Sequence, residues 1–154
     1  MSLNESYPAV PASLGRARRA VSALAVEAGA TGAQIDAIRL ATSEALTNAI
    51  VHAYDHSSGE IHVTAGVVGD ELWLLVADDG DGLRHGGGKS GLGLGLTLIA
   101  QACEDLTIVK RSAGGTEVRM RFLLGAPVSP AGDQSRGSVA SASSPASSIF
   151  STTR

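Results

Sequence analysis

The segment 31–54 constrains this chain more than any other. Thr31 and Gln34 stand ahead of an apolar run in the pattern of a capping box, which opens a helix. Ile35, Ile38, Thr42, Ala45, Leu46 and Ala49 then recur at helical spacing, so one face of this helix must be covered by a core. Glu44, Asn48 and His52 follow at i, i+4 steps on a different face. A polar column beside an apolar stripe suits a helix that packs on other elements and also lines a cleft. The alternative is a solvated face, where Glu and Asn are common. The spacing carries the helix to about Tyr54. A terminal hydrogen bond would account for His52 near its end.

The rest of the chain supplies partners for that apolar face. Pro8 and Pro11 predict an irregular N-terminus over residues 1–11. A first helix is expected from about Ser13, with Leu14, Ala17, Val21, Leu24, Ala25 and Ala28 on one face and Gly29 and Gly32 at its end. Ile61, Val63, Ala65 and Val67 alternate with His62, Thr64 and Gly66, the pattern of a half-buried strand. After a turn at Gly69-Asp70, the nearly unbroken apolar run from Leu72 to Ala77 reads as a central strand, so these two strands form a hairpin. Residues 78–92 are a loop rich in glycine and charge. A helix follows from about Gly93 to Cys103, with Leu94, Leu98, Ile99 and Ala102 facing inward. Leu106–Lys110 is a strand, Gly114-Gly115 a turn, and Thr116–Leu124 a strand with Val118, Met120, Phe122 and Leu124 on one face.

Two helices, two strands, a helix and two strands make an α+β layout. The expected fold is a two-layer sandwich, with helices on one face of a mostly antiparallel sheet. Hydrophobic residues are 44% of the 154 and aromatics only 3%, so Ala, Val, Leu and Ile must build the core. The domain is placed at residues 12–125. Residues 126–154 hold nine Ser, five Ala and three Pro with three charged residues, a composition that predicts a disordered tail.

Composition also excludes classes. A net charge of −3 and the lack of a basic run argue against direct nucleic-acid binding. The single cysteine, Cys103, allows no internal disulfide and reads as a small buried hydrophobe. No basic-then-apolar leader opens the sequence. No apolar run approaches the about 20 residues of a membrane span. A cytoplasmic location without membrane contact is expected.

The candidate chemistry lies in three patches. In the first, Asn48 offers an amide oxygen, a hard ligand suited to Mg²⁺, and Glu44 offers a carboxylate that could accept a proton from an attacking hydroxyl. The second, Asp78-Asp79-Gly80-Asp81-Gly82, follows the central strand. A carboxylate there accepts hydrogen bonds, which suits the exocyclic amino group of adenine and mismatches the carbonyl of guanine. A calcium loop is the rival, but Leu83 and Arg84 occupy positions that an EF-hand needs for a ligand and a glycine.

The third patch is Gly91-Leu92-Gly93-Leu94-Gly95. Gly88-Lys89-Ser90 before it resembles the end of a P-loop, but that motif would place its first glycine at Leu83. The dinucleotide fingerprint fails on its glycine spacing. What remains is a glycine run entering a helix, where backbone N–H groups favour phosphates. Gly114-Gly115-Thr116 is a hairpin turn whose Thr116 hydroxyl could point toward a phosphate.

In this order, Glu-x-x-x-Asn on a helix, Asp-x-Gly-x-Gly after a strand, Gly-x-Gly entering a helix and a late Gly-Thr resemble the GHKL ATPase superfamily, whose members share the Bergerat (histidine-kinase-like ATPase) fold. Within it, Ser-Glu-Ala-Leu-Thr-Asn-Ala-Ile-Val-His-Ala-Tyr at 43–54 looks like the small anti-sigma factor serine-protein kinases, the RsbW-like group. The similarity covers roughly residues 10–124. It implies ATP and Mg²⁺, with Glu44 as general base and Asn48 as the metal ligand. Asp78 would contact the adenine amino group, with Gly80 and Gly82 on the base and ribose side. Gly93 and Gly95 would approach the phosphates, and Thr116 the adenine or phosphate side. His52, Lys89, Gly91 and Leu94 would complete the nucleotide-binding set.

The implied function is an anti-sigma regulator that phosphorylates a serine of an anti-anti-sigma (STAS) partner and sequesters a sigma factor. A homodimer is expected. Arg16, Arg18 and Arg19 could meet an acidic partner or form a solvated face. Residues 83–92, ten residues with four glycines, separate Gly82 from Gly93 and make a shorter lid than many relatives carry. That departure leaves a second expectation open: a module that holds ATP and gates a protein contact with little phosphotransfer. A third, the catalytic half of a two-component histidine kinase, would usually carry an upstream helix pair with a phosphoacceptor histidine, and no histidine precedes His52.

Overall fold

The computed structural model describes residues 1–53, 59–80, 92–112 and 114–125. In chain order the elements are β1 (Ser2–Pro8), α1 (Pro11–Glu27), α2 (Gly32–Asn48), a π-helical turn (Ala49–Ala53), β2 (Glu60–Val68), β3 (Glu71–Asp78), α3 (Leu92–Ala102), β4 (Asp105–Lys110) and β5 (Thr116–Leu123). One five-stranded sheet runs in the order β1-β2-β3-β5-β4. Every neighbouring pair is antiparallel. The core lies between one sheet face and the helices. Val63, Leu74, Val76 and Met120 from the sheet meet Val21, Ile38, Leu46 and Ile99 from the helices. This is the expected α+β layout.

The capping box is present. The Thr31 N–H donates to Gln34 Oε1 at 2.8 Å, and the Gln34 N–H donates to Thr31 Oγ1 at 3.4 Å. Gln34 Nε2 also donates to the carbonyls of Leu123 and Gly125, at 3.0 Å each, fastening the start of α2 to the end of β5. At its other end α2 departs from expectation. Its α-helical geometry stops at Asn48, and the π-helical turn follows. A π turn adds a residue per hydrogen-bonded loop, so an i, i+4 column does not continue straight through it. Residues 54–58 lie outside the described residues, as do residues 81–91 and 126–154.

Two further expectations are corrected. Residues 1–11 are not irregular: β1 pairs with β2 along its length, from Ser2 opposite Gly66 to Pro8 opposite Glu60. Tyr7 drives this pairing, for its ring is only 1% exposed. Its hydroxyl donates to Glu5, and the Arg16 guanidinium lies 5.6 Å from the ring centroid. Burial, with help from Glu5, pushes the hydroxyl pKa up to about 12. Proline is compatible with the end of an edge strand. Pro11 falls at the first position of α1, where its missing N–H has no helical acceptor to lose. Leu94, expected to face inward, is 71% exposed. Gly95 takes the inward position instead and leaves no room for a side chain, which turns Leu94 to solvent.

Cys103 donates its thiol to the Ile99 carbonyl at 3.1 Å and packs beside the core. Burial raises its pKa, so it stays a protonated packing group.

The β4–β5 turn carries the tightest backbone contact in this set. Gly114 and Gly115 have φ of 97° and 88°. A Cβ on Gly115 would stand 1.9 Å from the Asp78 carbonyl oxygen, whereas one on Gly114 would meet nothing within 4 Å. Gly115→Ala should therefore cost at least about 2 kcal/mol, and Gly114→Ala about 1 kcal/mol from its φ alone. Urea unfolding of the two variants checks the contrast; equal losses would contradict the contact. Tyr7→Ala should destabilise by about 3 kcal/mol, with Tyr7→Phe nearly neutral. A negligible loss in Tyr7→Ala would show that β1 contributes nothing to the folded unit.

Candidate functional site

The site is built from the C-terminal end of α2, the start of α3, and the corner where β3 leaves the sheet. Glu44 and Asn48 are one turn apart on the side of α2 that meets α3. A Cβ on Gly95 would lie 2.9 Å from Glu44 Oε2 and 3.5 Å from Asn48 Oδ1. The bare backbone of α3 therefore approaches both side chains at once, which brings the first and third sequence patches together.

Asn48 is 9% exposed, and its Nδ2 has no hydrogen-bond partner among the described residues. An unsatisfied buried donor costs about 1–3 kcal/mol. The unused Nδ2 hydrogens suit an anionic acceptor such as a phosphate oxygen, while Asn48 Oδ1 and the Glu44 carboxylate one turn away are hard oxygen atoms of the kind Mg²⁺ takes. No other side chain could fill the space at Gly95 without displacing Glu44. The donor set and the cradle fit a small hydrated cation beside phosphates.

The second group surrounds Asp78, the last residue of β3, which is 6% exposed. Its Oδ1 accepts from the Gly80 N–H at 3.1 Å and from the Thr116 N–H at 3.3 Å. Both bonds use the same oxygen, so among the described residues Oδ2 is left for another donor. Burial raises the Asp78 pKa; the two N–H groups oppose the shift, and the neighbouring Asp79 charge adds to it. The π-helical turn after Asn48 touches β3, connecting the two groups of the site.

The structure thus brings Glu44 to Asn48 and Gly95, and Asp78 to Gly80 and Thr116. Gly93 lies in the first turn of α3, two residues before Gly95. Leu94 points away from the inward face. Gly82, Lys89 and Gly91 lie outside the described residues, and so does the side chain of His52. Thr116 meets Asp78 through its main-chain N–H, a contact that reasoning about its hydroxyl did not anticipate.

Sequence reasoning missed two further residues. Gly115 reads only as a turn glycine, yet its lack of a Cβ lets the turn touch the Asp78 backbone. Arg111, just beyond β4, donates from Nη1 to the Asp78 carbonyl at 3.1 Å and to the Asp79 carboxylate. His62 Nε2 is 2.8 Å from the other Asp79 oxygen. Hydrogen bonding to His62, followed by the contact with Arg111, lowers the Asp79 pKa. A lone arginine at a strand end carries no signal of such a role.

Comparison with known proteins agrees with this geometry. Residues 7–122 match the model of the histidine kinase-like ATPase domain. A serine-protein kinase RsbW from Bacillus velezensis is 33% identical over 134 residues, covering 77% of this chain and 83% of that protein. An anti-sigma F factor from Shouchella clausii is 28% identical over 131 residues, covering 77% of this chain and 90% of the relative. The crystal structure of the RsbU and RsbW domains of a Mycobacterium tuberculosis protein superposes with a TM-score of 0.66 at 26% identity, covering 82% of this chain and 33% of that larger one. The chain spans about a third of that crystallised protein and most of the two curated relatives. With the Glu44–Asn48 helix, the Asp78 corner and the glycine entry to α3 in place, the chain belongs to the histidine kinase-like ATPase family, in its group of RsbW-like serine-protein kinases.

Proposed function

We propose that this protein is an ATP-dependent anti-sigma factor that phosphorylates a serine of an anti-anti-sigma (STAS) partner and sequesters a sigma factor. The close approach of Gly95 to Glu44 and Asn48 carries this reading. It leaves a proton acceptor and an unsatisfied buried carboxamide beside a glycine-lined helix start, where phosphates bind well. The names of the relatives, serine-protein kinase and anti-sigma factor, support the same activity.

Each residue then has a role. Asp78 Oδ2 accepts the adenine amino group while Oδ1 is held by Gly80 and Thr116. Gly93 and Gly95 let the α3 backbone come close to the phosphates. Asn48 holds Mg²⁺ through its amide oxygen. When bound, that ion offsets the negative charge of the phosphates. Glu44 accepts the proton of the attacking serine hydroxyl as the new P–O bond forms and the bond to ADP breaks. His52, Gly82, Lys89, Gly91 and Leu94 stand in the nucleotide-binding set by resemblance alone, and the outward-facing Leu94 fits that role least well. A homodimer also rests on resemblance and a cytoplasmic location on composition, while the folded domain reaches back past residue 12 to include β1, which pairs with β2. Among the described residues no helix is long and apolar enough to cross a membrane.

One observation favours a second reading. The ten-residue segment 83–92 is short for a lid, which suits a module that holds ATP and signals through protein contact.

Two experiments separate these readings. Glu44→Gln should bind ATP normally and transfer phosphate to a STAS serine roughly 10²–10⁴-fold more slowly. With labelled ATP, nucleotide-dependent partner binding without label in the wild type would select the module. Unchanged transfer in Glu44→Gln would remove the general-base role. Asp78→Asn should weaken ATP binding roughly tenfold or more, because a charged acceptor is lost. Protonating Asp78 puts a donor where the adenine amino group also donates. ATP affinity should therefore fall as pH drops through the raised Asp78 pKa, beginning above the ordinary 3.8. The component of the titration due to Asp78 should vanish in Asp78→Asn. Identical pH profiles in the two proteins would contradict the assignment.

A further inference from the structure

We propose that Arg111 is a positioning residue that sets the aim of the Asp78 carboxylate, and with it the preference for adenine. This rests on the reading of Asp78 as the base-contacting group.

The aim of a carboxylate depends on the backbone that carries it, and Asp78 sits where β5 ceases to hold that backbone while β2 still does. The β3–β5 ladder ends at Ala77 opposite Glu117, while the β2–β3 ladder ends at Asp78 opposite Ile61. On the β5 side, the Asp78 carbonyl therefore lies beyond the last ladder pair. Arg111 supplies the replacement donor, with Nη1 at 3.1 Å from that carbonyl. The same Nη1 contacts Asp79 Oδ1, so one guanidinium spans both residues of the corner.

The turn that carries Arg111 is itself closed. The Arg111 N–H donates to the Gly115 carbonyl, and the Gly114 N–H donates to the Arg111 carbonyl, both at 3.1 Å. Gly115 meanwhile rests against the Asp78 carbonyl without a Cβ. Thus the corner is gripped twice by one hairpin end, through the Arg111 side chain and the Gly115 backbone. From the other side, His62 on β2 holds Asp79 at 2.8 Å, and His62 Nδ1 is 2.8 Å from Ser6 Oγ on β1. The β3 corner is therefore fixed between the two sides of the sheet.

This grip does little for overall stability. The Arg111 and Asp79 side chains are 32% and 53% exposed, and exposed ion pairs of this kind contribute little. Its consequence is local: where Asp78 points relative to the base.

The test compares ATP with inosine triphosphate, which replaces the exocyclic amino group by a carbonyl and keeps the sugar and phosphates. Both affinities are measured by competition against a fluorescent nucleotide, with Mg²⁺ present, on the full chain. Wild type should prefer ATP. Arg111→Gln should shrink that preference roughly tenfold by weakening ATP alone, as expected for losing a charge-assisted hydrogen bond. Its unliganded melting temperature should stay near that of wild type. Arg111→Lys keeps the charge without the guanidinium fork and should fall between them.

An unchanged ratio in Arg111→Gln, or equal weakening of both nucleotides, overturns the proposal while leaving the Asp78 reading intact. If Arg111→Gln does not fold, the ratio in Arg111→Lys decides by the same criteria. A wild type without ATP preference, or an Asp78→Asn variant that retains it, removes the base-contact reading and the proposal with it.

Discussion

A carboxylate buried at the end of a strand is tolerable only where donors meet its charge, and the arrangement of this site follows from how Asp78 obtains them. The Gly80 N–H comes from the chain as it leaves β3. The Thr116 N–H comes from the first residue of β5. The second donor exists only because β5 lies next to β3, so the strand order β1-β2-β3-β5-β4 is part of the site. The compensation is incomplete. Burial outweighs the two N–H groups and leaves the pKa raised. A group in that condition gains more than usual from a further donor, and an adenine amino group would be one.

Missing side chains are as important as those present. At two places backbone has moved into the volume a Cβ would take: Gly95 against Glu44 and Asn48, and Gly115 against the Asp78 carbonyl. These contacts differ in kind. The first presses on the far end of a flexible glutamate, so a larger residue would displace the Glu44 carboxylate before it disturbed the fold. The second presses on a carbonyl within the frame of the sheet, where nothing can yield cheaply. The first glycine therefore leaves room for the Glu44 and Asn48 side chains, and the second protects geometry on which both the Asp78 corner and the β4–β5 hairpin depend.

Much of this was legible from residues alone because the signals are local. The Thr31–Gln34 cap needs only neighbouring atoms, and the nearly unbroken apolar run of β3 marks a central strand, here flanked by β2 and β5. The Glu44–Asn48 spacing fixes a shared face wherever the helix sits. Other features depend on contacts distant in sequence. β1 hides because its inward-facing pattern amounts to Leu3 and Tyr7 with prolines nearby, and only pairing with β2 makes it a strand. Leu94 misleads because a leucine in an apolar helix is ordinarily inside; here a glycine takes the inward place. Arg111 and Gly115 gain their meaning from Asp78, more than thirty residues earlier, so no window of sequence displays it.

Whether such a site moves phosphate or only holds it turns on the first turn of α3. That turn follows directly on the short glycine-rich segment, and its own Gly95 sets the space left to Glu44. Gly93 and Gly95 each weaken helix formation by about 1 kcal/mol relative to alanine. The turn is therefore among the easier parts of the helix to remodel. Among the described residues Asn48 Nδ2 has no partner, so part of the polar wall beside α3 is uncommitted. The quantity that matters is how closely α3 approaches Glu44 once nucleotide is in place.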